Sequence, residues 1–249
     1  MKIRNIFLIT IILLLICLAC DNQIIFDDNN NENKIIGSGD VITLKKNFTN
    51  FNKIHFSHAL EAEINFGSTY EVSIKIDDNF VDYLIAEEDQ ENLTIGLINR
   101  HNYSNYTLKV TISMPDILSL DMIGASSTTI TGFNFEHDFE AEMSGASWLG
   151  GELNTGDIKL VLLGASKVEF KGQGKNLDVL ASGASYLYLG SFKVINADLN
   201  LSGASLAYIN AERYIDADLT GASYLNYWGN CSLRNVSTSG ASLIQRYNP

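Results

Sequence analysis

The tripeptide Gly-Ala-Ser occurs seven times in this chain, starting at Gly124, Gly145, Gly164, Gly183, Gly203, Gly221 and Gly240, 18 to 21 residues apart. Seven catalytic serines would be chemically redundant. One structural position, used once per turn of a repeating fold, accounts for the spacing. Two residues before each glycine stand Met122, Met143, Leu162, Ala181, Leu201, Leu219 and Thr238; the rows four before and four after are also mostly apolar. Residues two apart share a face in a strand, so these rows predict the buried side of stacked strands. The fold class expected is all-β, a parallel β-helix or β-solenoid with coils of about 19 residues. At an inter-strand spacing of about 4.8 Å, the seven copies span roughly 29 Å.

Each residue of the motif then has a task. Glycine allows a bend that a β-carbon would obstruct. The serines, Ser126, Ser147, Ser166, Ser185, Ser205, Ser223 and Ser242, lie in phase with the apolar rows and are expected to turn inward. There a hydroxyl can bond to the next serine or to backbone of the next coil. A bulge at the glycine would reverse the phase and bring alanine inside instead.

The opposite parity faces solvent and is unusually aromatic. It holds Trp148, Tyr186 and Tyr224 three residues after their glycines, and Tyr188 and Tyr208 five after. Exposed strips of this kind mark contact surfaces, unless another segment of the chain covers them. These five residues are the candidate binding face.

Residues 1–19 read as an export signal. Lys2 and Arg4 precede an apolar run too short to span a bilayer comfortably, ending in "CLAC" at Cys17–Cys20. That ending resembles a lipoprotein box, with Cys20 the expected lipid acceptor. The Asn- and Asp-rich stretch over residues 20–34 is the expected tether. The formal net charge is −12, and two of the 17 basic residues leave with the signal. Such a surface repels nucleic acid and anionic lipid, so attachment to the membrane must come from acyl chains on Cys20. With Cys17 removed and Cys20 modified, Cys231 has no disulfide partner.

Residues 35–249 form the expected folded domain, the repeats filling 124–242. Its first part reads as alternating strands, including "NKIHF", "ALEAEINF", "YEVSIKI" and "YTLKVTISM", with "FVDYLIAEE" either a short helix or a turn into a strand. The Gly-rich opening at Gly37–Gly39, the "F-x-K-I" strand at Phe51–Ile54, an "E-V-x-I" strand, an "L-T-I" strand and an "I-x-M-P-x-I" segment leading into Gly-Ala-Ser come in a distinctive order. In that order the chain resembles the bacterial family of "putative auto-transporter adhesin, head GIN domain" proteins. The resemblance implies a right-handed β-helix on exported, often lipid-anchored proteins, and brings no catalytic residues.

The residues offer little reactive chemistry. His55 and His58 lack a third metal ligand, no EF-hand or Gly-Gly-x-Gly-x-Asp spacing appears, and "GASY" is not a nucleophile elbow. No metal, cofactor or catalytic residue is expected. The leading function is a non-enzymatic, lipid-tethered binding or adhesion module of the bacterial envelope, at the outer membrane or cell surface. Its partners would be the membrane through its lipid, a glycan or envelope protein, and not nucleic acid. The alternative is a structural protein that self-associates into homo-oligomers. A carbohydrate-active β-helix enzyme ranks third, because it needs acidic and basic groups clustered across coils, and Lys167, Lys171 and Arg213 occupy unmatched positions.

Overall fold

The computed structural model describes residues 34–247. The export signal expected over residues 1–19, Cys20 and nearly all of the tether lie outside the described residues. The rest is a β-solenoid. One continuous sheet of 19 strands winds into stacked coils, accompanied by a two-stranded ladder of Lys34–Ile36 with Asn102–Ser104. Each coil contributes one strand before the Gly-Ala-Ser corner and one after it. The first face stacks Lys53–Ser57, Ser119–Gly124, Phe139–Gly145, Ile158–Leu162 and Asn176–Ala181 in parallel. The second stacks Glu61–Phe66, Ser127–Asn134, Trp148–Asn154 and Lys167–Gln173. Tyr186–Leu201 and Leu206–Leu219 run through both faces with a register shift between their halves. Ser232–Thr238 and Leu243–Arg246 close the stack.

Parallel pairing in register makes columns of like residues. Ile54, Leu120, Ala141, Leu160, Val179, Leu199 and Ala217 form one inward column, and none is more than 4% exposed. On the second face Ala62, Thr128, Leu149, Val168, Leu187, Ala207 and Leu225 do the same. Burial of such columns, at roughly 25 cal/mol per Å² of apolar surface, is the main stabilising force in a chain whose only described cysteine, Cys231, is free. Thr128 breaks the pattern: it is fully buried and its hydroxyl has no hydrogen-bond partner.

The corners explain the repeat. All seven glycines hold φ between 73° and 103°, a conformation that L side chains rarely adopt. At six of them a β-carbon would stand only 2.1–2.6 Å from the carbonyl oxygen of the glycine one coil earlier. That approach is tight because each alanine N–H donates to the same carbonyl at 2.7 Å, as Ala184 does to Gly164. Ser126, Ser147, Ser166, Ser185, Ser205 and Ser223 point inward and are at most 1% exposed; Ser242, in the last coil, is half-exposed. Ala125 and its equivalents face solvent. The hydroxyls do not form the expected inter-coil ladder. Five of them donate at 2.8–3.0 Å to the carbonyl three residues earlier in their own corner. The backbone between coils is already engaged in the parallel ladder, and the carbonyl before each glycine turns back within reach of the serine. Across coils, Ser126 donates to His58 O at 2.8 Å, and Ser185 makes a longer second contact to Leu162 O at 3.4 Å.

The N-terminal region joins the solenoid instead of packing beside it. Lys53–Ser57 and Glu61–Phe66 are an eighth coil, whose corner is His58-Ala59-Leu60 in the register of Gly-Ala-Ser. His58 takes φ 70°, and buried Leu60 fills the place of the serine. On its far side this coil pairs with Asn92–Leu97 and Leu108–Met114. Antiparallel strands Val41–Lys46, Glu71–Asp77 and Leu84–Asp89 finish that end. The ambiguous "FVDYLIAEE" is both things: the 3-10 helix Asp78–Tyr83 followed directly by the strand Leu84–Asp89. Phe80 of that helix is buried under Tyr103 and Tyr106. Buried Asp77 accepts hydrogen bonds from Gly39 N–H at 2.7 Å and Thr107 N–H at 2.5 Å, fixing the cap loops.

Candidate binding face

The outward side of the second face carries the aromatic residues, and the register decides which of them meet. Trp148, Lys167, Tyr186, Leu206 and Tyr224 follow one another down one column; Gly150, Glu169, Tyr188, Tyr208 and Asn226 make the next. Tyr186, Tyr188 and Tyr208 come together. Tyr186 and Tyr188 lie 6.4 Å apart with planes 5° from parallel, and Tyr188 and Tyr208 lie 5.4 Å apart at 12°. Trp148 is separated from them by the coil of Lys167 and lies over Gly150, where a β-carbon would meet the indole at 2.4 Å. Tyr224 is separated by Leu206. The five residues thus form a three-ring cluster with two outliers on one face.

The cluster is a stack more than a flat platform. Lys167 Nζ reaches from the preceding coil to 4.8 Å from the centre of the Tyr188 ring, while Tyr208 approaches from the following coil. Lys167 also pairs with Glu169 at 3.1 Å. Both faces of Tyr188 are therefore occupied by its own chain, and its edge and hydroxyl remain outward.

Two aromatic residues that the sequence columns did not include lie beside this stack. Trp228 and Tyr247 stand seven residues after Gly221 and Gly240, one step beyond the columns considered, and their rings are 5.8 Å apart. Tyr247 also meets Tyr208 edge-on at 6.5 Å. Extending the same count from five to seven would have found them. Together with Tyr188, Tyr208, Glu169 and Lys171 they wall a groove of about 540 Å³ over Gly190.

The opposite face is acidic. Glu140, Lys159, Asp178, Asp198 and Asp216 occupy successive strands in register beside a second groove of about 920 Å³. Here charged groups are clustered across coils after all, with Arg213 and Arg234 on its wall. Much of that charge is already paired. Arg234 holds Asp216 well below the usual carboxylate range, at about 2. Lys159 pairs with Glu140 at 2.6 Å, and Asp138 and Asp157 accept from the backbone N–H groups of Asp157 and Asn176. Desolvation, then repulsion from Asp178 and Asp216, pushes the Asp198 carboxyl up. The two histidines considered as metal ligands point elsewhere. His55 pairs with Asp121 at 2.7 Å, and the Nδ1 of His58 faces Ser57 and the Leu97 N–H. Among the described residues, no three His, Cys, Asp or Glu side chains are grouped to hold a metal.

Comparison with known proteins agrees with this architecture. The family model described as "Putative auto-transporter adhesin, head GIN domain" matches residues 50–231. A putative adhesin from Bacteroides fragilis superposes with a TM-score of 0.80 at 18% identity, over 86% of this chain and 100% of that one. A putative lipid binding protein from Parabacteroides distasonis gives 0.66 at 17%, over 86% and 100%. A putative adhesin from Parabacteroides merdae gives 0.64 at 15%, over 87% and 100%. At these identities the structures establish the fold. No curated protein matches the chain.

Proposed function

This chain belongs to the family described as "Putative auto-transporter adhesin, head GIN domain", and from that membership we propose that it is a non-enzymatic binding module of the bacterial cell envelope. In this reading acyl chains on Cys20 anchor it, residues 20–34 act as tether, and the solenoid presents its aromatic face to a glycan or envelope protein. The observation that carries the proposal is the cluster of Tyr186, Tyr188 and Tyr208, stacked side by side on a rigid parallel sheet, with Tyr186 and Tyr188 exposed and Tyr208 half-buried. Holding aromatic side chains out of the core costs folding energy that could have been gained by burial, which is the signature of a contact surface. Replacing all three tyrosines with serine should abolish binding to cells and envelope fractions while leaving the melting temperature within a few degrees. Retained binding removes the cluster from the mechanism. Turnover of acidic polysaccharides by the purified protein would overturn the non-enzymatic assignment and direct attention to the acidic groove.

A second reading has its own observation. In the last coil, Leu233 and Val236 continue inward columns that are at most 4% exposed in the preceding coil, yet they are 38% and 43% exposed. Strands Ser232–Thr238 and Leu243–Arg246 are also edges of the sheet. Such an end favours self-association. Sedimentation across a hundredfold concentration range tests it; a monomer throughout excludes it.

A further inference from the structure

We infer that the groove over Gly190 is a carbohydrate site that takes one pyranose ring of a neutral saccharide, with Trp228 as the shelf on which the sugar lies. The inference rests on the envelope-binding reading and moves its centre from the tyrosine stack to a neighbouring site.

The groove exists because one side chain is missing. Lys171, Gly190, Asn210, Trp228 and Tyr247 each stand seven residues after a corner glycine, but the register shifts at this point: Lys171 pairs with Ser191 and Asn210 with Lys193, so Gly190 falls in a bulge outside the ladder. With no side chain there, Gly190 leaves a depression at the bulge. The Trp228 indole reaches back across the intervening coil and lies in it, so closely that a β-carbon on residue 190 would meet the ring at 2.3 Å. The indole is thereby held against the backbone, half-buried, with no tyrosine stacked on it in parallel; Tyr247 tilts against it at 56°. Tyr188, by contrast, has lost both ring faces to Lys167 and Tyr208. Trp228 is thus the aromatic surface of this region that is pre-organised and still available to a ligand.

The chemistry of the walls selects the ligand class. Glu169, Lys171 and Tyr208 line the groove, and they can supply a carboxylate acceptor, an ammonium donor and a hydroxyl. An acyl chain would strip water from those charges without replacing their hydrogen bonds. A nucleic acid would meet a chain of net charge −12. A pyranose has an apolar C–H face for the indole and hydroxyls around its rim for the charged wall. A volume of about 540 Å³ falls within the range of small-molecule sites.

Calorimetric titration of the full chain with cellotetraose, chitotetraose and mannotetraose, and with palmitate as the apolar probe, tests the assignment. Saturable binding of at least one tetrasaccharide is expected, weakened about tenfold or more in Trp228→Ala. Gly190→Ala should weaken it similarly, by lifting the indole while removing nothing from the core; it also guards against a Trp228→Ala chain that fails to fold. Three flat saccharide titrations, binding of palmitate in their place, or saccharide binding undiminished in both variants would overturn the assignment. Envelope fractions that bind the chain while all saccharides fail would leave the adhesion reading standing and remove this site. Saccharides that bind while envelope fractions do not would do the reverse.

Discussion

The corner at His58-Ala59-Leu60 and the seven Gly-Ala-Ser corners turn the chain in the same place with different side chains. All use a residue with positive φ, an outward alanine and an inward third residue. Only the repeats demand glycine. From Gly145 onward, each corner sits against the carbonyl of another glycine, where a β-carbon has no room. His58 begins the column, and its imidazole reaches the Leu97 N–H on the capping strand. The difference teaches that the repeated glycine answers its neighbour as much as its own backbone angle. A solenoid propagates the requirement from coil to coil, and its first coil escapes it.

The sharpest way to break this comparison is to add one methyl group at two corners. Gly183→Ala combines positive φ with a β-carbon 2.3 Å from the Gly164 oxygen. It should cost more than about 3 kcal/mol in urea unfolding, as both strains act together. Gly124→Ala, whose β-carbon would lie 3.3 Å from the His58 backbone, carries mainly the angular strain, about 1–2 kcal/mol. Equal losses would mean that φ alone sets the glycine requirement.

The cap should depend on a buried carboxylate where the coils depend on close backbone contact. Asp77→Ala leaves two cap N–H groups without their acceptor and should cost about 2–3 kcal/mol. Limited proteolysis should then cut between residues 34 and 46 before it cuts the repeats. Simultaneous cleavage of both would show that cap and coils unfold as one unit. Within the coils, Thr128→Val replaces a buried hydroxyl that has no partner and should raise stability by about 1 kcal/mol. A loss on denaturant titration would mean that the hydroxyl is satisfied in solution.

The smallest effect concerns the seam between cap and coils. The hydrogen bond to Asp121 raises the His55 pKa against the opposing effect of burial. Its contribution is therefore complete below the unfolded value near 6.5 and fades as pH rises through the folded value. Melting temperatures of the parent and His55→Gln should differ most near pH 5 and converge near pH 8. Burial lowers the His58 pKa, which gives that residue the opposite trend, so the comparison must be made with the single variant.

Spacing alone revealed the coils because each glycine marks a fixed point, and counting by twos from it separates inside from outside. Trp228 and Tyr247 stand seven residues after their glycines, beyond the register shift that follows Leu189, where counting by twos no longer predicts which residues meet. The eighth corner was hidden for another reason. Ser57-His58-Ala59-Leu60 keeps the serine and alanine of Ser-Gly-Ala-Ser but neither of the two residues that define the repeat. The acidic groove is illegible in the sequence for a related reason: its carboxylates occupy the polar positions of the face before the corner, where alternation marks them only as outward-facing.

What the sequence determined by itself is the stack of coils: small residues at regular intervals of about 19, between apolar rows of period two, are the pattern of a β-solenoid. The tertiary structure decided which groups touch. It alone placed the coil of residues 53–66 between the cap and the repeats, turned the serine hydroxyls onto their own corners, and used the faces of Tyr188 internally. Strand periodicity fixes which side a residue faces, because alternation is built into the backbone. The partner it meets there depends on the coil stacked above and the coil below, and so on contacts between residues far apart in the chain.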